Sequence, residues 1–213
     1  MKNLKTLGIV LLLLSIVACQ QKVKVNESTI KRGKVLFESC RLCHSNKEMQ
    51  RGPILNGISA DYLYSQLVRF KTGVRGQNSK NSLEALMGTT MSILKTDEDL
   101  RAVSAYISSL ELKPYIQTVR GDASKGKMLY EASCSSCHGD KAEGKALFKT
   151  PAIHKFEDWY MLAQLKSFKY GRRGIHKDDK PGQIMAAAVK SLSDDDLKNI
   201  VKYISDNFAK LEK

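Results

Sequence analysis

The sequence is poor in three features that mark other classes of protein. No segment alternates apolar and polar residues as a half-buried strand does, so the predicted fold class is all-α. Aromatic residues make up 7% of the 213 residues. A domain of about 90 residues would then have a thin apolar interior unless something else fills it. The longest apolar run, from Leu7 to Ala18, is too short to predict a membrane-spanning helix.

Cysteine is also scarce, and its few positions form a pattern. The chain has five cysteines, and four of them make two C-x-x-C pairs, each followed directly by histidine. C-x-x-C-H is the attachment signature of c-type haem, in which each sulfur binds one haem vinyl group and the histidine supplies an axial nitrogen to the iron. The sequence therefore predicts two covalently bound haem c groups. The motif residues are Cys40, Cys43 and His44 in the first half of the chain, and Cys134, Cys137 and His138 in the second.

Two other uses of these cysteines are possible in principle. Four thiolates could form one structural zinc site, but such sites draw on neighbouring knuckles, whereas Cys43 and Cys134 are a whole domain apart. Zinc would also leave both histidines unexplained. The pairs could instead form two disulfides, which an exported chain permits. Haem attachment explains all six motif residues, and we take it as the prediction.

The N-terminus has the pattern of an export signal. Two lysines precede the apolar run, which has the length of a signal peptide's hydrophobic core. Ile16-Val17-Ala18-Cys19 resembles the lipobox of bacterial lipoproteins, which implies cleavage after residues 1–18 and lipidation of Cys19. The alternatives are an ordinary signal peptide with an incidental cysteine and an uncleaved anchor. We expect an exported, periplasmic protein held to a bacterial membrane by a tether of residues 19–27.

The chain contains an internal duplication. A set of residues recurs at one offset of 98 positions, whereas the haem motifs are 94 positions apart, so about four extra residues belong in the loop 139–149. Duplication predicts two similar domains, 28–112 and 123–213, joined by a linker of residues 113–122. The set is Tyr62, Gln66, Leu67, Phe70, Lys71, Gly73, Arg75 and Gly76 with Tyr160, Gln164, Leu165, Phe168, Lys169, Gly171, Arg173 and Gly174, together with Pro53 and Pro151, and Met87 and Met185.

Three helices are predicted in each half. The first carries a glycine and an aromatic residue one turn apart, which lets another helix cross it closely. The middle helix ends at a glycine. The last begins after a capping Thr96 or Ser193, each followed by an acidic run that suits the positive end of a helix dipole. The first helix is marked by Gly33 with Phe37 and by Gly126 with Tyr130. The middle helix spans residues 62–71 and 160–169, followed by Gly73 and Gly171.

The order of these features resembles class I cytochrome c, and the tandem arrangement resembles the dihaem cytochrome c4 group. The resemblance implies two α-helical domains, each with one haem iron held by histidine and methionine. Met185 matches the position of the methionine ligand in the second domain. Met87 is its counterpart in the first domain, and Met91 is a nearby competitor.

The resemblance also implies roles around the ligands. The carbonyls of Pro53 and Pro151 would accept the Nδ1–H of the motif histidines, and Arg75 and Arg173 would lie near the haem propionates. The remaining histidines could in principle ligate iron. Because neither has a counterpart in the first half, we expect both at the solvated surface. They are His154 and His176.

The charge of the chain bears on its partners. A net charge of +13, shared between the halves, favours protein partners with acidic docking surfaces, or anionic lipid headgroups. Nucleic acid is not expected, because an exported lipoprotein would not meet it. The resemblance implies an electron carrier of the periplasm, not an enzyme. With the predicted lipid anchor we expect a membrane-tethered carrier that delivers electrons from a quinol-oxidising complex to a terminal oxidase or reductase.

Two other kinds of function compete with the carrier, a dihaem enzyme and a fixed subunit of a respiratory complex. A dihaem peroxidase needs an open iron position, whereas each half offers a methionine to close it. Thiosulfate dehydrogenases use a cysteine ligand on one iron, and beyond Cys19 and the motif cysteines this chain has none. A fixed subunit of a respiratory complex differs from the carrier only in the permanence of its partners.

Overall fold

The computed structural model describes residues 26–44, 50–77 and 82–210, which form two halves of similar helical architecture. This part of the chain contains nine α-helices and no extended β-strand, and the Tyr115 N–H donates a hydrogen bond to the Lys210 carbonyl (3.2 Å). The predicted all-α fold is confirmed. The helices are α1 (Glu27–His44), α2 (Ala60–Lys71), α3 (Ser82–Thr90), α4 (Asp97–Ser109), α5 (Ala123–Ser133), α6 (Ser135–His138), α7 (Asp158–Lys169), α8 (Lys180–Val189) and α9 (Asp194–Phe208).

In each half the first helix crosses the last at a glycine. Gly33 of α1 lies so close to Ala102 of α4 that a Cβ on the glycine would collide with the Ala102 carbonyl. Gly126 of α5 stands in the same relation to Asn199 of α9. The aromatic residue one turn later packs against a tyrosine of the last helix, so the predicted crossing is confirmed in both halves. The ring pairs are Phe37 with Tyr106 (5.8 Å between centroids) and Tyr130 with Tyr203 (5.7 Å).

The last helix of each half begins at its predicted cap. The Thr96 hydroxyl accepts a hydrogen bond from the Asp99 N–H (3.1 Å), and the Asp99 carboxylate accepts one from the Thr96 N–H (3.0 Å). Ser193 and Asp196 repeat this exchange at the start of α9. Such a reciprocal pair satisfies two backbone donors that a helix start would otherwise leave open.

The middle helices, α2 and α7, begin two residues before the predicted starts at 62 and 160. In α2 the start is set by the Ser59 side chain, which accepts from the Tyr62 N–H (3.3 Å) and lies ahead of the apolar period that guided the prediction. Both helices end as predicted, at Lys71 and Lys169, and the predicted glycines follow at Gly73 (φ +75°) and Gly171 (φ +63°). Glycine adopts this left-handed backbone without the steric cost of a Cβ.

The haem motifs sit differently on their helices. The first helix runs unbroken through its motif to His44, whereas in the second half the helix breaks at Cys134, between α5 and α6. Cys40 follows Phe37 by three residues, but Cys134 follows Tyr130 by four. One residue rotates a helix by about 100°. The break therefore takes up the extra residue between the helix crossing and the motif.

The two halves share one apolar core. The ring of Phe156 lies between Tyr62 of the first half and Tyr160 of the second, 5.6 Å from each centroid. Buried side chains from α1, α2, α4, α5, α7 and α9 belong to the same cluster. Residues 139–149, the predicted site of the extra residues, form a loop with one short 3-10 turn (Ala146–Phe148).

Several predictions about the ends of the chain fall outside the described residues. They are the signal peptide 1–18, the lipidated Cys19 and nearly all of the tether 19–27. The boundaries of the two domains and of the linker stay predictions. Within the described ranges, no helix combines the length and apolarity needed to cross a bilayer.

Candidate haem sites

The first site is built at the C-terminal end of α1. The last residues of this helix present the thiols of Cys40 and Cys43 and the imidazole of His44. His44 Nδ1 donates a hydrogen bond to the Pro53 carbonyl (2.8 Å), as predicted, which leaves Nε2 as the nitrogen free to bind a metal. Burial lowers the pKa of His44, and the Pro53 carbonyl opposes that shift. The imidazole is thus held neutral and oriented. Gly52 packs so closely under the ring that a Cβ there would collide with it.

The second site lies on α6 and has a more enclosed histidine. His138 is 6% exposed, and neither ring nitrogen has a hydrogen-bond partner of normal geometry in the described part of the chain. Burial lowers the pKa of His138, and the nearby Pro151 carbonyl opposes the shift without forming a well-aligned bond. A buried imidazole without a partner is costly. Coordination of a metal by Nε2 would remove that cost, so these residues fit an axial iron ligand.

The four thiols are free and half-buried. Burial, with a smaller contribution from Cys43, raises the pKa of Cys40; burial and Cys137 raise the pKa of Cys134 to about 11. Thiols of this kind are protonated at neutral pH and are poor thiolate nucleophiles. Among the residues described, no three His, Cys, Asp or Glu side chains gather at one point, so the two cysteine pairs are separate sites.

The methionines occupy two kinds of position. Met87 on α3 is half-buried, with its sulfur 3.7 Å from the Thr90 hydroxyl. Met185 on α8 is also half-buried and packs against a small buried cluster that includes Val189. Met91 is 4% exposed, and the residue at its repeat-equivalent position is Val189, which is also 4% exposed. The position of Met91 is therefore a core position in both halves.

Two arginines and two glutamines join the halves in a reciprocal cluster. The Gln66 carbonyl oxygen accepts from Arg75 of its own half (2.8 Å) and from Arg173 of the other (2.9 Å). The Gln164 oxygen accepts from Arg173 (2.6 Å) and Arg75 (2.9 Å). The glutamines were visible in the sequence as repeated polar residues on the middle helices, but their role as a joint was not predicted. Repetition of a polar residue at equivalent positions is the signal that marks them.

The two arginines differ in their charge partners. Arg75 is 6% exposed and pairs with Glu84 (2.8 Å). Burial opposes its charge, yet the Tyr160 hydroxyl and the Glu84 carboxylate raise the pKa of Arg75 overall. Arg173 has no carboxylate partner in the described ranges, because the residue equivalent to Glu84 is Gly182.

One expectation about the remaining histidines is wrong. His154 is half-buried, and its Nδ1 bonds to the Ala142 carbonyl (3.0 Å), so it is not a solvated surface residue. The longer loop of the second half folds back over it, which the first half could not have indicated. His176 is partly exposed, and its Nδ1 accepts from the Asp178 N–H (3.2 Å).

Both halves match one known protein family. The cytochrome c family model matches residues 30–111 and again residues 123–207. The chain belongs to the cytochrome c family. Its architecture is two tandem cytochrome c domains, and membership with two C-x-x-C-H motifs implies two covalently bound haem c groups. The orphaned ring of His138 and the oriented ring of His44 fit this cofactor.

Relatives of this cytochrome include single-domain and tandem proteins. It is 27% identical to cytochrome c4 of Azotobacter vinelandii over 178 residues, which cover 78% of this chain and 82% of that protein. It is 37% identical to cytochrome c-554(547) of Halothiobacillus neapolitanus over 89 residues, 40% of this chain and 96% of that protein.

Solved structures with the same fold include a cytochrome c4 and a thiosulfate dehydrogenase. Reduced recombinant cytochrome c4 from Pseudomonas stutzeri superposes with a TM-score of 0.64 at 23% identity, over 86% of this chain and 98% of that one. Thiosulfate dehydrogenase from Marichromatium purpuratum gives the same TM-score and identity, over 83% of this chain. This cytochrome spans 40% of that dehydrogenase. At such identities the likeness shows the fold alone.

Proposed function

We propose that this cytochrome is a dihaem carrier of single electrons between components of a respiratory chain, held at a bacterial membrane by a lipid on Cys19. The observation that carries the proposal is the pair of imidazoles, half-buried at His44 and buried at His138, each directly after two free thiols and each on a helix end. The relationship to cytochromes c4 along most of the chain supports it. The acceptor in this proposal is a terminal oxidase or reductase.

The residues that would hold each haem follow from the repeat. Cys40 and Cys43 would attach the first haem, and His44 would bind its iron. Met87 is the second ligand there, because it shares its half-buried setting and its 98-residue offset with Met185, whereas Met91 corresponds to a valine that cannot bind iron. Cys134, Cys137, His138 and Met185 have the same roles in the second domain.

The haem iron supplies reversible one-electron chemistry between its ferrous and ferric states. The protein residues decide how that chemistry is used. Methionine sulfur is a soft ligand that favours the reduced state, so it suits delivery to an acceptor of high potential. Two methionines also close the positions at which a substrate would bind. The function that follows is electron transfer without bond formation.

The surface charge supports a carrier that docks transiently. The +13 of the whole chain falls to +11 when cleavage removes Lys2 and Lys5, and this positive charge attracts acidic partner surfaces over distances of about 10 Å at 0.1 M salt. Exchange with a partner should therefore slow as ionic strength rises. The anchor on Cys19 would confine this exchange to the periplasmic face of a membrane.

The ligand assignment is tested on the purified holoprotein. After denaturation, mass spectrometry should give the chain plus two haems, and the oxidised protein should show the weak red charge-transfer band of methionine-bound ferric haem. Haem that is extracted freely, or absence of the band, would contradict the proposal. Labelled palmitate should be incorporated into the wild-type protein but not into Cys19→Ala. Incorporation into that variant would contradict lipidation at Cys19.

A catalytic function is kept as the second candidate because of the fold shared with a thiosulfate dehydrogenase. Thiosulfate supplied with an artificial electron acceptor should give no turnover above that of a cytochrome of similar potential. Sustained thiosulfate-dependent reduction of the acceptor would favour the enzyme.

A further inference from the structure

Glu157 is a buried carboxylate that turns away from its own helix. It stands at the N-cap of α7 but accepts no hydrogen bond from that helix. Its carboxylate crosses to the first half instead, where Oε2 accepts from the Ile54 N–H (2.8 Å) and from Gln50 Nε2 (2.6 Å). Glu157 is 7% exposed and Ile54 is 8% exposed, so the contact is shielded from water.

The N–H that Glu157 binds belongs to the same peptide unit as the Pro53 carbonyl. That carbonyl accepts the hydrogen bond from His44 Nδ1 (2.8 Å). A continuous line of hydrogen bonds therefore runs from the Glu157 carboxylate through the Pro53–Ile54 peptide to the proximal imidazole of the first haem site. Two domains contribute to this line, which we call the Glu157 relay.

A carboxylate at one end of this line of hydrogen bonds changes the basicity of the imidazole at the other end. The peptide unit is a resonance system, so an anionic acceptor on its N–H increases the negative charge on its carbonyl oxygen. Hydrogen bonds in a chain strengthen one another in this way, most of all where water is excluded. A stronger bond to Nδ1–H makes the imidazole a more basic metal ligand. A more basic ligand stabilises ferric over ferrous iron and lowers the reduction potential.

The second half lacks the relay. The residue equivalent to Glu157 is Ser59, which caps its own helix through the Tyr62 N–H (3.3 Å). The residue equivalent to Ile54 is Ala152, and among the side-chain hydrogen bonds of the described ranges none corresponds to that of the Ile54 N–H with a carboxylate. His138 Nδ1 also has no well-aligned bond. The asymmetry therefore concerns one haem only.

We propose that Glu157 of the second domain is a positioning residue that lowers the reduction potential of the haem in the first domain through the Pro53–Ile54 peptide. The proposal rests on the proposed function in one respect, that His44 is an axial ligand. It adds that docking of the domains tunes one haem and leaves the other unaffected. Electron transfer from the first haem to the second is favoured in consequence.

The test uses the full-length dihaem protein and the isosteric substitution Glu157→Gln, which removes the charge and keeps an acceptor oxygen. Haem methyl signals in the NMR spectrum, assigned to each domain, follow the oxidation of each haem during a redox titration. We expect the redox equilibrium of the first haem to shift about threefold to tenfold toward reduction, about 28 to 59 mV for one electron, and that of the second haem to shift less. In the reduced protein, the His44 Nδ1–H signal should move upfield and the His138 signal should not.

Two control variants separate the relay from docking alone. Lys155→Gln removes another hydrogen bond between the halves, from Lys155 Nζ to the Gly57 carbonyl (3.0 Å). The reduction potentials of both haems should be unchanged in this variant. Gln50→Ala removes the competing donor on Glu157 and should not raise the first potential. If Glu157→Gln disturbs folding, Glu157→Ser places at 157 the residue type found at 59 and should raise the first potential as well.

Several results would overturn the proposal. An unchanged first potential in folded Glu157→Gln would do so. An equal rise at both haems without a change in the His44 Nδ1–H signal would show a simple field effect of the charge. Failure of the proposed function is recognised separately, because the wild-type protein would then lack two haems or lack an axial His44 signal.

Discussion

The two halves of this cytochrome carry the same parts but connect them differently. In the first half one helix runs through the motif to His44, whereas in the second the helix breaks at Cys134. Residues that repeat between the halves form the candidate haem sites and the helix crossings. Residues without a counterpart, such as Glu84 and Glu157, give each half its own electrostatic surroundings. The two halves therefore have equivalent candidate sites in unequal surroundings.

The joint between the halves shows both kinds of residue side by side. The reciprocal cluster is built from repeated positions, and each half contributes one arginine and one glutamine to it. Its residues are Arg75, Arg173, Gln66 and Gln164. The contacts of Glu157 with the first half have no mirror image. A symmetric joint fixes the relative position of the domains, and asymmetric contacts can then act on one domain alone.

The largest expected effect is loss of one haem. Cys134→Ala should prevent attachment in the second domain while the first domain keeps its haem, because each motif serves its own site. Mass spectrometry of the denatured protein should find one haem in place of two. Ser136→Ala, inside the same motif, is the matched control and should keep both. Loss of both haems in Cys134→Ala would mean that the halves do not mature independently.

The next effect distinguishes the methionines. Met87→Ala should lower the potential of the first haem and remove half of the red charge-transfer band. Met91→Ala should keep the band, because Met91 fills a core position, but should cost about 2–5 kcal/mol of unfolding free energy. Val189→Ala tests the equivalent position of the second half and should also keep the band. Loss of the band in Met91→Ala would reverse the assignment.

The helix crossings should respond alike in both halves. Gly33→Ala and Gly126→Ala each drive a Cβ into a backbone carbonyl, and each should lower the unfolding free energy by about 3 kcal/mol in guanidinium chloride. In Gly88→Ala the new Cβ meets only ordinary contacts, the nearest 3.6 Å away, so this variant should be neutral or gain up to about 1 kcal/mol. Equal tolerance of all three substitutions would contradict the close crossing.

The smallest expected effect concerns the capping boxes and pH. Burial opposes the charge on Asp99, but hydrogen bonds from the Thr96 N–H, Arg32 and the Lys95 N–H lower its pKa overall. A carboxyl whose pKa is lower in the folded than in the unfolded state stabilises the fold above the unfolded pKa of about 3.9 and loses that contribution as the pH falls through the folded pKa. Asp99→Asn should therefore be less stable than wild type at pH 7, and the difference should shrink below pH of about 4.

The same capping comparison extends to the second half. Thr96→Ala and Ser193→Ala should each cost about 1 kcal/mol, measured by thermal unfolding at pH 7. Asp99 has an ion pair with Arg32 (2.5 Å) that Asp196 does not share in the described ranges. Asp196→Asn should thus have a smaller effect than Asp99→Asn. A larger effect at Asp196 would show that the ion pair contributes little.

Local signals predicted most of the fold and the ligands. C-x-x-C-H, the glycine and aromatic pairs, and the capping residues each act within a few positions of the chain, so one sequence is enough to see them. The helix break at Cys134 also had a local signal, the one-residue difference in spacing from Phe37 and Tyr130 to their motifs. The contacts of Glu157 with Gln50 and Ile54 had none, because they join residues about a hundred positions apart and depend on how the domains dock.

The central claim is that methionine closes the sixth position of both irons, which suits electron transfer without bond formation. Carbon monoxide added to the fully reduced wild-type protein tests it directly, because the gas binds ferrous haem only where the sixth position is open. We expect the visible spectrum of both haems to remain unchanged, while Met185→Ala acquires the spectrum of a carbon monoxide complex at one haem. Ready binding at either haem of the wild-type protein would contradict the carrier and favour an enzyme or a sensor.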